Sequence, residues 1–237
     1  MTETITLFGR EISLFFFCWF LGIIFSFVTG WYIRKYYGFS FSRATILVAL
    51  DMIIGFLLIW IMSWISGSGK MNGLNFARIV PVVPIFFALL AHLFREPPEK
   101  IFDFFAPITA VIYTISHLGC ISAGCCHGYP SQWGLYSNIA QTICFPIQPI
   151  ESLINLAIAI VLFWMVRKEK QQGLLYIWYM IFFGATRFIT EFLRDNTKVW
   201  RSVSEFALYA LASLTLGIIA LMAVKHFSKG SCTNEKM

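Results

Sequence analysis

The sequence predicts an all-α integral membrane protein, a bundle of about seven transmembrane helices. Of its 237 residues, 58% are hydrophobic and only 13% are charged, which leaves too little polar surface for a soluble domain of this length. Several apolar stretches reach the roughly 20 residues that a helix needs to cross a membrane. Hydrophobicity within them is continuous rather than alternating, and this pattern favours helices over strands.

Seven stretches are predicted as spans, at residues 13–32, 42–66, 74–94, 101–125, 147–167, 173–192 and 204–224. Pro81, Pro84 and Pro107 interrupt the third and fourth stretches. Membrane helices tolerate proline where neighbouring groups satisfy the freed carbonyls. We find no tandem repeat, no separate soluble segment and no removable signal peptide. We therefore expect one integral membrane domain over residues 1–237.

Lysine and arginine in the connections predict the orientation. One set of helix ends carries eleven of them and the opposite set carries five. By the positive-inside rule, the first set is cytoplasmic, so the N-terminus is predicted outside and the C-terminus in the cytoplasm. The long connection at 126–146 then lies outside. Topology also accounts for the net charge of +6, and no basic stripe with interleaved aromatic residues indicates a nucleic-acid partner.

Ionisable side chains inside spans need a reason, because each costs roughly 2.5–3.5 kcal/mol on insertion scales. For Asp51 in span two, structural pairing and function stay equally open. Arg78 near the outer end of span three is expected to extend its side chain to the interface. Asp103 lies near the cytoplasmic end of span four, where we expect solvation to be easy.

Span six carries Arg187, Glu191 and Arg194 at i, i+4 and i+7, hence on one helical face. One interpretation is an ion pair within the membrane that fixes helix packing. The other is a charged cluster that holds a phosphate, because the planar arginine fork can donate two parallel hydrogen bonds. Arg187 lies too deep to be only an interface anchor, which favours the functional interpretation.

The segment SHLGCISAGCCHG at 116–128 gathers histidine, cysteine and glycine in an otherwise apolar chain. A metal site is one interpretation, since thiolate and imidazole are good zinc ligands. Its ligands would be Cys120, Cys125, Cys126 and His127. Against it, the segment lacks the paired C-x-x-C units of common structural zinc sites.

Two other interpretations of the same segment stay open. A disulfide with Cys144 is possible because the segment is predicted to face an oxidising compartment. Adjacent Cys125 and Cys126 are not expected to bond each other, since neighbouring cysteines strain disulfide geometry. Alternatively the glycines, among them Gly124 and Gly128, allow the close approach of a ligand or helix. Composition alone does not choose among the three.

Three segments in order are similar to the motifs of the bacterial prolipoprotein diacylglyceryl transferase family. They are HLGCISAGCCHG at 117–128, FPIQPIE at 145–151 and FFGATRFITEFLR at 182–194. The similarity is clearest over residues 106–195. The first segment resembles a form of the family signature in which cysteines replace asparagines. Ser116-His117 stands at its Gly-Arg pair, Cys120 at its first asparagine, and Gly124 and Gly128 at an internal and the closing glycine.

The second and third segments resemble the family's downstream motifs. Pro146, Gln148 and Glu151 match a His-Pro-Ser-Gln-Leu-Tyr-Glu motif, and Arg187, Glu191 and Arg194 match the late charged positions. The chain also departs from the pattern. The arginine of the first signature is His117 here, the family's His-Gly-Gly motif would fall near Met71-Asn72-Gly73, and the large outer insertion of typical members is absent.

The resemblance implies an enzyme that moves the diacylglyceryl group of phosphatidylglycerol to the lipobox cysteine of a preprolipoprotein. It implies a multi-pass protein of the bacterial inner membrane with its site toward the outer leaflet, and no cofactor or metal is expected. Implied catalytic residues are His117, Arg187 and Glu191. Implied substrate-binding residues are Cys120, Gly124, Gly128, Gln148, Glu151 and Arg194.

Within this scheme Arg187 stabilises the phosphate, and Glu191 orients Arg187. His117 is the base or cation that assists the acceptor thiol. Two alternatives remain. One is a protein of this fold with a different acceptor. The other is a thiol-redox or metal-binding membrane protein without transferase activity.

Overall fold

The computed structural model describes residues 4–7, 10–65, 76–168, 173–195, 198–200 and 203–234. It is mostly helical (77%), as predicted. The α-helices of the described residues are α1 (Leu14–Ile33), α2 (Phe41–Ile65), α3 (Val83–Phe94), α4 (Pro98–Ala123), α5 (Ile147–Val166), α6 (Leu175–Glu191) and α7 (Glu205–Asn234). Each helix lies at the position of a predicted span.

Five of the helices, α1, α2, α4, α5 and α7, are long and apolar enough to cross a membrane within the described residues. The helix α6 has 17 residues and α3 has only 12. At 1.5 Å per residue, α3 is about 18 Å long, shorter than the roughly 30 Å hydrocarbon core. The α-helix within the predicted span at 74–94 therefore covers only its second half. Pro84 occupies the first turn of α3, where its missing N–H costs nothing.

Short antiparallel hairpins modify the all-α prediction. The pairs are β1 (Thr4–Leu7) with β2 (Arg10–Ser13), β3 (Pro130–Ser137) with β4 (Thr142–Cys144), and β5 (Lys198–Trp200) with β6 (Val203–Ser204). They immediately precede α1, α5 and α7. Strand pairing satisfies backbone groups in connections that cannot be helical.

Close packing of α1 against α4 sets the relative direction of these helices. A Cβ atom on Gly119 would lie 3.0 Å from the carbonyl oxygen of Phe15, and one on Gly30 would lie 3.5 Å from Phe104. The end of α4 therefore meets the beginning of α1, and the two helices are antiparallel. Small residues permit this approach, as in other membrane helix pairs.

Asp103 and Arg78 differ from the sequence-based expectations. Asp103 is buried, and its two carboxylate oxygens accept the backbone N–H groups of Gly173 and Leu175, each at 2.8 Å. It caps the start of α6, which would otherwise bury unpaired donors. Arg78 does not extend to an interface. Its side chain is 7% exposed and its Nη2 lies 3.3 Å from Glu205 Oε2, because the start of α7 packs beside it.

Two glycines within helices provide a matched stability test. A Cβ atom on Gly184 of α6 would lie 2.6 Å from the backbone nitrogen of Leu214 in α7, whereas one on Gly55 of α2 would meet nothing within 4 Å. Gly184→Ala should destabilise the protein by roughly 1–3 kcal/mol through overpacking. Gly55→Ala should stabilise it by roughly 0.5–1 kcal/mol through helix propensity. Thermal unfolding in detergent measures both, and equal shifts would contradict the packing of α6 on α7.

Candidate functional site

Glu151 is the centre of a buried charge cluster. It lies near the start of α5, and its side chain is 3% exposed. Its Oε1 lies 2.6 Å from Arg187 Nη1, and Arg194 Nη2 forms an ion pair with its Oε2. The hydroxyl of Tyr113 donates to Oε2 at 3.1 Å, and that of Thr190 donates to Oε1. One carboxylate thus binds groups from α4, α6 and the segment after α6.

Glu191 supplies the second negative charge. Its Oε2 lies 2.9 Å from Arg187 Nη2 and 3.7 Å from Arg194 Nε, and its Oε1 accepts a hydrogen bond of 2.7 Å from Ser204. The two arginines and two glutamates balance in charge, and all four side chains are at most 3% exposed. Buried ions are tolerated only when they are paired in this way.

His117 contacts both kinds of charge in the cluster. Its ring stacks on Tyr113 with centroids 5.0 Å apart and planes 15° apart. Its Nε2 lies 2.9 Å from Glu151 Oε2 and 3.1 Å from Arg194 Nη2. A protonated Nε2 can donate to the carboxylate, and a bare Nε2 can accept from the guanidinium. The Nε2 atom of His117 therefore lies beside one acceptor and one donor.

The turn after α4 is fixed by side chains. Gly124 ends the helix in the left-handed conformation with φ of 67°, which glycine adopts at low cost. The carbonyls of residues 124–126 accept hydrogen bonds from Ser137, Gln148 and Arg194 at 2.9, 3.0 and 2.8 Å respectively. Cys126 also has a positive φ of 59°, which is uncommon for a residue with a side chain.

This turn places Cys125 and Cys126 beside Cys120, which lies in the last turn of α4. The Sγ atoms of Cys120, Cys125 and Cys126 all lie within 4.8 Å of one another, and all three thiols are free. Hydrogen bonds from Cys120 and then Cys125 hold the pKa of the Cys126 thiol well below its usual range, and the charge of Arg194 acts in the same direction. Cys144 is also free and lies in β4, so the structure contains no disulfide among the described cysteines.

A cavity of about 120 Å³ adjoins the charge cluster. Its apolar wall comes largely from α1 and α2 and includes Phe15, Trp19, Ile23, Met52 and Phe56. Its polar wall comes from α4, α6 and the turn after α4, and includes Tyr113, His117, Cys120, Cys126 and Arg187. Asp51 also lines the cavity. One space therefore combines an apolar surface, an arginine, a histidine and thiols.

The structure brings most of the predicted site residues together. Glu151, Glu191, Arg187, Arg194 and His117 form the cluster described above. The other predicted residues surround it with different roles. Cys120 lines the cavity, whereas Gly124, Gly128 and Gln148 shape the backbone. At Gly128, a Cβ atom would lie 2.7 Å from the carbonyl oxygen of Phe145, and the residue forms a β-bridge with Arg194. The position Met71-Asn72-Gly73 lies outside the described residues.

Sequence reasoning missed three cluster members. Tyr113 and Thr190 lie one helical turn from His117 and Arg187, so the i, i+4 and i, i+3 spacings contained a signal for them. No local spacing indicated Ser204, because its contact with Glu191 depends on the reversal of the chain through β5 and β6. His127 was a candidate metal ligand, but its Nδ1 lies 3.1 Å from the carbonyl oxygen of Gly128 and it does not belong to the thiol cluster.

Fold and site together define a helical membrane protein with a buried charge cluster on one wall of a largely apolar cavity. The sequence profile of the prolipoprotein diacylglyceryl transferase family matches residues 79–225. Because this match covers more than half of the chain, the protein belongs to that family, as the motifs predicted.

Two curated relatives carry closely related names. A phosphatidylglycerol–prolipoprotein diacylglyceryl transferase of Clostridium tetani is 29% identical over 106 residues, which cover 42% of this chain and 43% of the relative. A phosphatidylglycerol–prolipoprotein diacylglyceryl transferase 2 of Clostridium perfringens is 26% identical over 141 residues, 56% of this chain and 55% of the relative. The chain thus spans about half the length of the curated relatives it matches.

The central position of Glu151 gives a stability prediction. Glu151→Gln removes the charge that pairs with Arg187 and Arg194, leaving cationic groups buried without compensation, so it should cost roughly 3–5 kcal/mol. Glu191→Gln is the matched control and should cost less, because both Arg187 and Arg194 still pair with Glu151. Thermal unfolding of both variants in the same detergent tests this order. A smaller loss for Glu151→Gln than for Glu191→Gln would contradict it.

Proposed function

We propose that the protein transfers the diacylglyceryl group of phosphatidylglycerol to the thiol of a lipobox cysteine in a preprolipoprotein. Family membership and the names of the relatives supply the reaction class. The observation that carries the proposal is the cavity, which places His117 and Arg187 opposite apolar side chains of α1 and α2. A phospholipid has this combination of a charged headgroup and apolar chains.

The lining of the cavity suggests how the lipid is held, because its polar wall carries Arg187 and its apolar wall lies on α1 and α2. The reacting glycerol and phosphate would occupy the cavity, and the acyl chains would extend along α1 and α2 into the bilayer. Both helices carry large apolar side chains on their outer faces, such as Phe16, Phe20, Trp60 and Trp64.

Arg187 would stabilise the phosphate on the leaving group. Its Nη1 and Nη2 contact Glu151 and Glu191, whereas its buried Nε–H has no acceptor among the described residues. The two carboxylates thus fix the guanidinium while one donor remains for a phosphate oxygen. A preorganised cation of this kind stabilises charge that develops as the phosphate departs.

His117 would accept the proton of the acceptor thiol. A free thiol is only a few per cent ionised at neutral pH, so the attack on the glycerol carbon needs a base or a positive field. The ring lines the cavity, and Glu151 Oε2 can stabilise the imidazolium at 2.9 Å. The carbon–oxygen bond to the phosphate breaks, and its electron pair leaves with glycerol phosphate.

We further propose seven spans with the site end outside. The opposite end concentrates basic residues against aromatic rings, with Lys168 3.8 Å from the ring of Trp164 and Lys100 4.4 Å from that of Phe39. Such an end suits the cytoplasmic interface of a bacterial inner membrane. In this arrangement α3 and α6 are short spans, and the connections at their ends cross the rest of the membrane.

The direct test is to incubate the purified protein with labelled phosphatidylglycerol and a lipobox peptide and to measure lipidated peptide by mass spectrometry. A peptide with serine in place of cysteine is the control. Formation of a thioether only with the cysteine peptide supports the proposal. If no lipidated peptide forms while the thiols of the protein titrate with redox potential, the thiol-redox alternative is favoured.

Arg187→Lys tests the phosphate role. Lysine keeps the charge but loses the fork that binds two carboxylates and the remaining Nε donor. We expect turnover to fall on the order of a hundredfold, as when one oxyanion donor is removed. The matched control is Arg78→Lys, since Arg78 is also buried and paired but does not line the cavity. Parent-level turnover of a folded Arg187→Lys variant would refute the role.

Topology can be tested independently of activity. A reporter inserted near residue 138, between β3 and β4, should behave as extracytoplasmic, and one inserted near residue 96 should behave as cytoplasmic. The second insertion is the internal control, because the two connections are expected on opposite sides. Cytoplasmic behaviour at residue 138 would invert the orientation.

A further inference from the structure

We propose that Cys120, Cys125 and Cys126 bind one soft divalent cation of the zinc type, whose open fourth position faces the cavity and receives the acceptor thiol. This inference rests on the proposed function, because it assigns the means by which the thiol is activated. It differs from the expectation, implied by the family resemblance, that the site holds no metal.

The spacing of the three sulfur atoms is close to what a zinc ion requires. The three Sγ atoms lie within 4.8 Å of one another. With zinc–sulfur bonds of about 2.3 Å, tetrahedral ligation needs sulfur atoms about 3.8 Å apart. Movements of about 1 Å or less would therefore form the site, and rotation about the side-chain bonds supplies them. The cluster is nearly preformed in the folded chain.

The turn after α4 explains how unusual spacing produces this cluster. Common structural zinc sites pair C-x-x-C units, which this chain lacks. Here the left-handed conformations of Gly124 and Cys126 reverse the chain, so that two consecutive cysteines return to the end of α4. Hydrogen bonds from Ser137, Gln148 and Arg194 to three successive carbonyls hold that reversal.

Chemistry and charge identify the class of ion. Thiolates are soft ligands that favour zinc over magnesium or calcium. Three thiolates around a divalent ion leave only one net negative charge, and the buried Arg194, which pairs with Glu151, also donates to the carbonyl of Cys126. Structural zinc usually has four protein ligands, whereas three ligands and one open position are typical of catalytic sites.

The open position would face the reaction. Cys120 and Cys126 line the same cavity as His117 and Arg187. An acceptor thiol that coordinates there loses its proton, which His117 or solvent accepts. The sulfur then attacks the glycerol carbon, a carbon–sulfur bond forms, and the carbon–oxygen bond to phosphate breaks with its electron pair on the phosphate oxygen. The proton ends on the released glycerol phosphate or in solvent, and the ion keeps its charge throughout.

Metal content is the first measurement. Protein purified under reducing conditions and reconstituted with zinc should retain about one zinc ion per chain after desalting. Inductively coupled plasma mass spectrometry measures the zinc content. Cys120→Ser and Cys126→Ser should lose it, and Cys18→Ser, which alters a cysteine of α1 outside the cluster, should retain it. No stoichiometric zinc in the folded wild-type protein, or equal retention in all variants, would overturn the site.

Cobalt substitution tests the open position. Cobalt bound to the wild-type protein should give sulfur-to-metal charge-transfer absorption, and a cysteine peptide should change that spectrum whereas its serine counterpart should not. An unchanged spectrum with the cysteine peptide would overturn the proposed acceptor position. This measurement uses wild-type protein, so it does not depend on whether the cysteine variants fold.

Activity separates this inference from the proposed function. Removing the metal from wild-type protein with a chelator should lower transfer about thirtyfold, because the thiol is then only a few per cent ionised, and zinc should restore it. Transfer at the parent rate without metal would overturn the inference and leave the proposed function intact. Zinc binding and a peptide-dependent cobalt spectrum without lipidated product would support the metal site and contradict the transferase.

Discussion

Ion pairs to the buried carboxylate of Glu151 determine how the helices around the site are arranged. This buried carboxylate balances the positive charges of Arg187 in α6 and of Arg194 beyond that helix. It also contacts His117 of α4. None of these ionisable groups is stable alone in an apolar interior. Mutual pairing makes their burial possible, and because the partners come from three elements, it also fixes how α4, α5 and α6 meet.

The same pairing prepares the cavity wall for chemistry. Arg187 is held by two carboxylates, and its position relative to the cavity therefore does not depend on a flexible side chain. Arg194 connects this cluster to the turn after α4 through the carbonyl of Cys126. Stability and the proposed reactivity thus use one network, in which the charges that hold the bundle together also orient the arginine and the histidine.

Much of this arrangement was predictable from sequence, for identifiable reasons. Continuous apolar stretches located every helix, and helical spacing placed Arg187, Glu191 and Arg194 on one face. The family motifs added Glu151, although nothing in its own surroundings marked it as the centre of the cluster. Local patterns identify residues that share a helix, but they do not identify contacts between helices.

The expectations for Arg78 and Asp103 were wrong because both residues have partners that only the tertiary structure supplies. Arg78 was expected at an interface, yet the start of α7 provides Glu205 as its partner. Asp103 was expected in solvent, yet it caps α6. A cysteine cluster was one of three open interpretations of its segment, and the spacing could not choose it because the cluster requires two left-handed residues, Gly124 and Cys126, in one short turn. Sequence patterns assume a regular backbone, so they do not predict sites that are built on an irregular backbone.

The proposed reaction couples release of the lipid headgroup to formation of a thioether. The most direct measurement is the ratio of glycerol phosphate released to thioether formed, with phosphatidylglycerol as donor and a cysteine peptide as acceptor. We expect a ratio of about one, and no release when the peptide is absent, because in the proposed reaction the acceptor sulfur displaces the phosphate directly. Release of glycerol phosphate without acceptor would contradict it and would identify the protein as a lipid hydrolase.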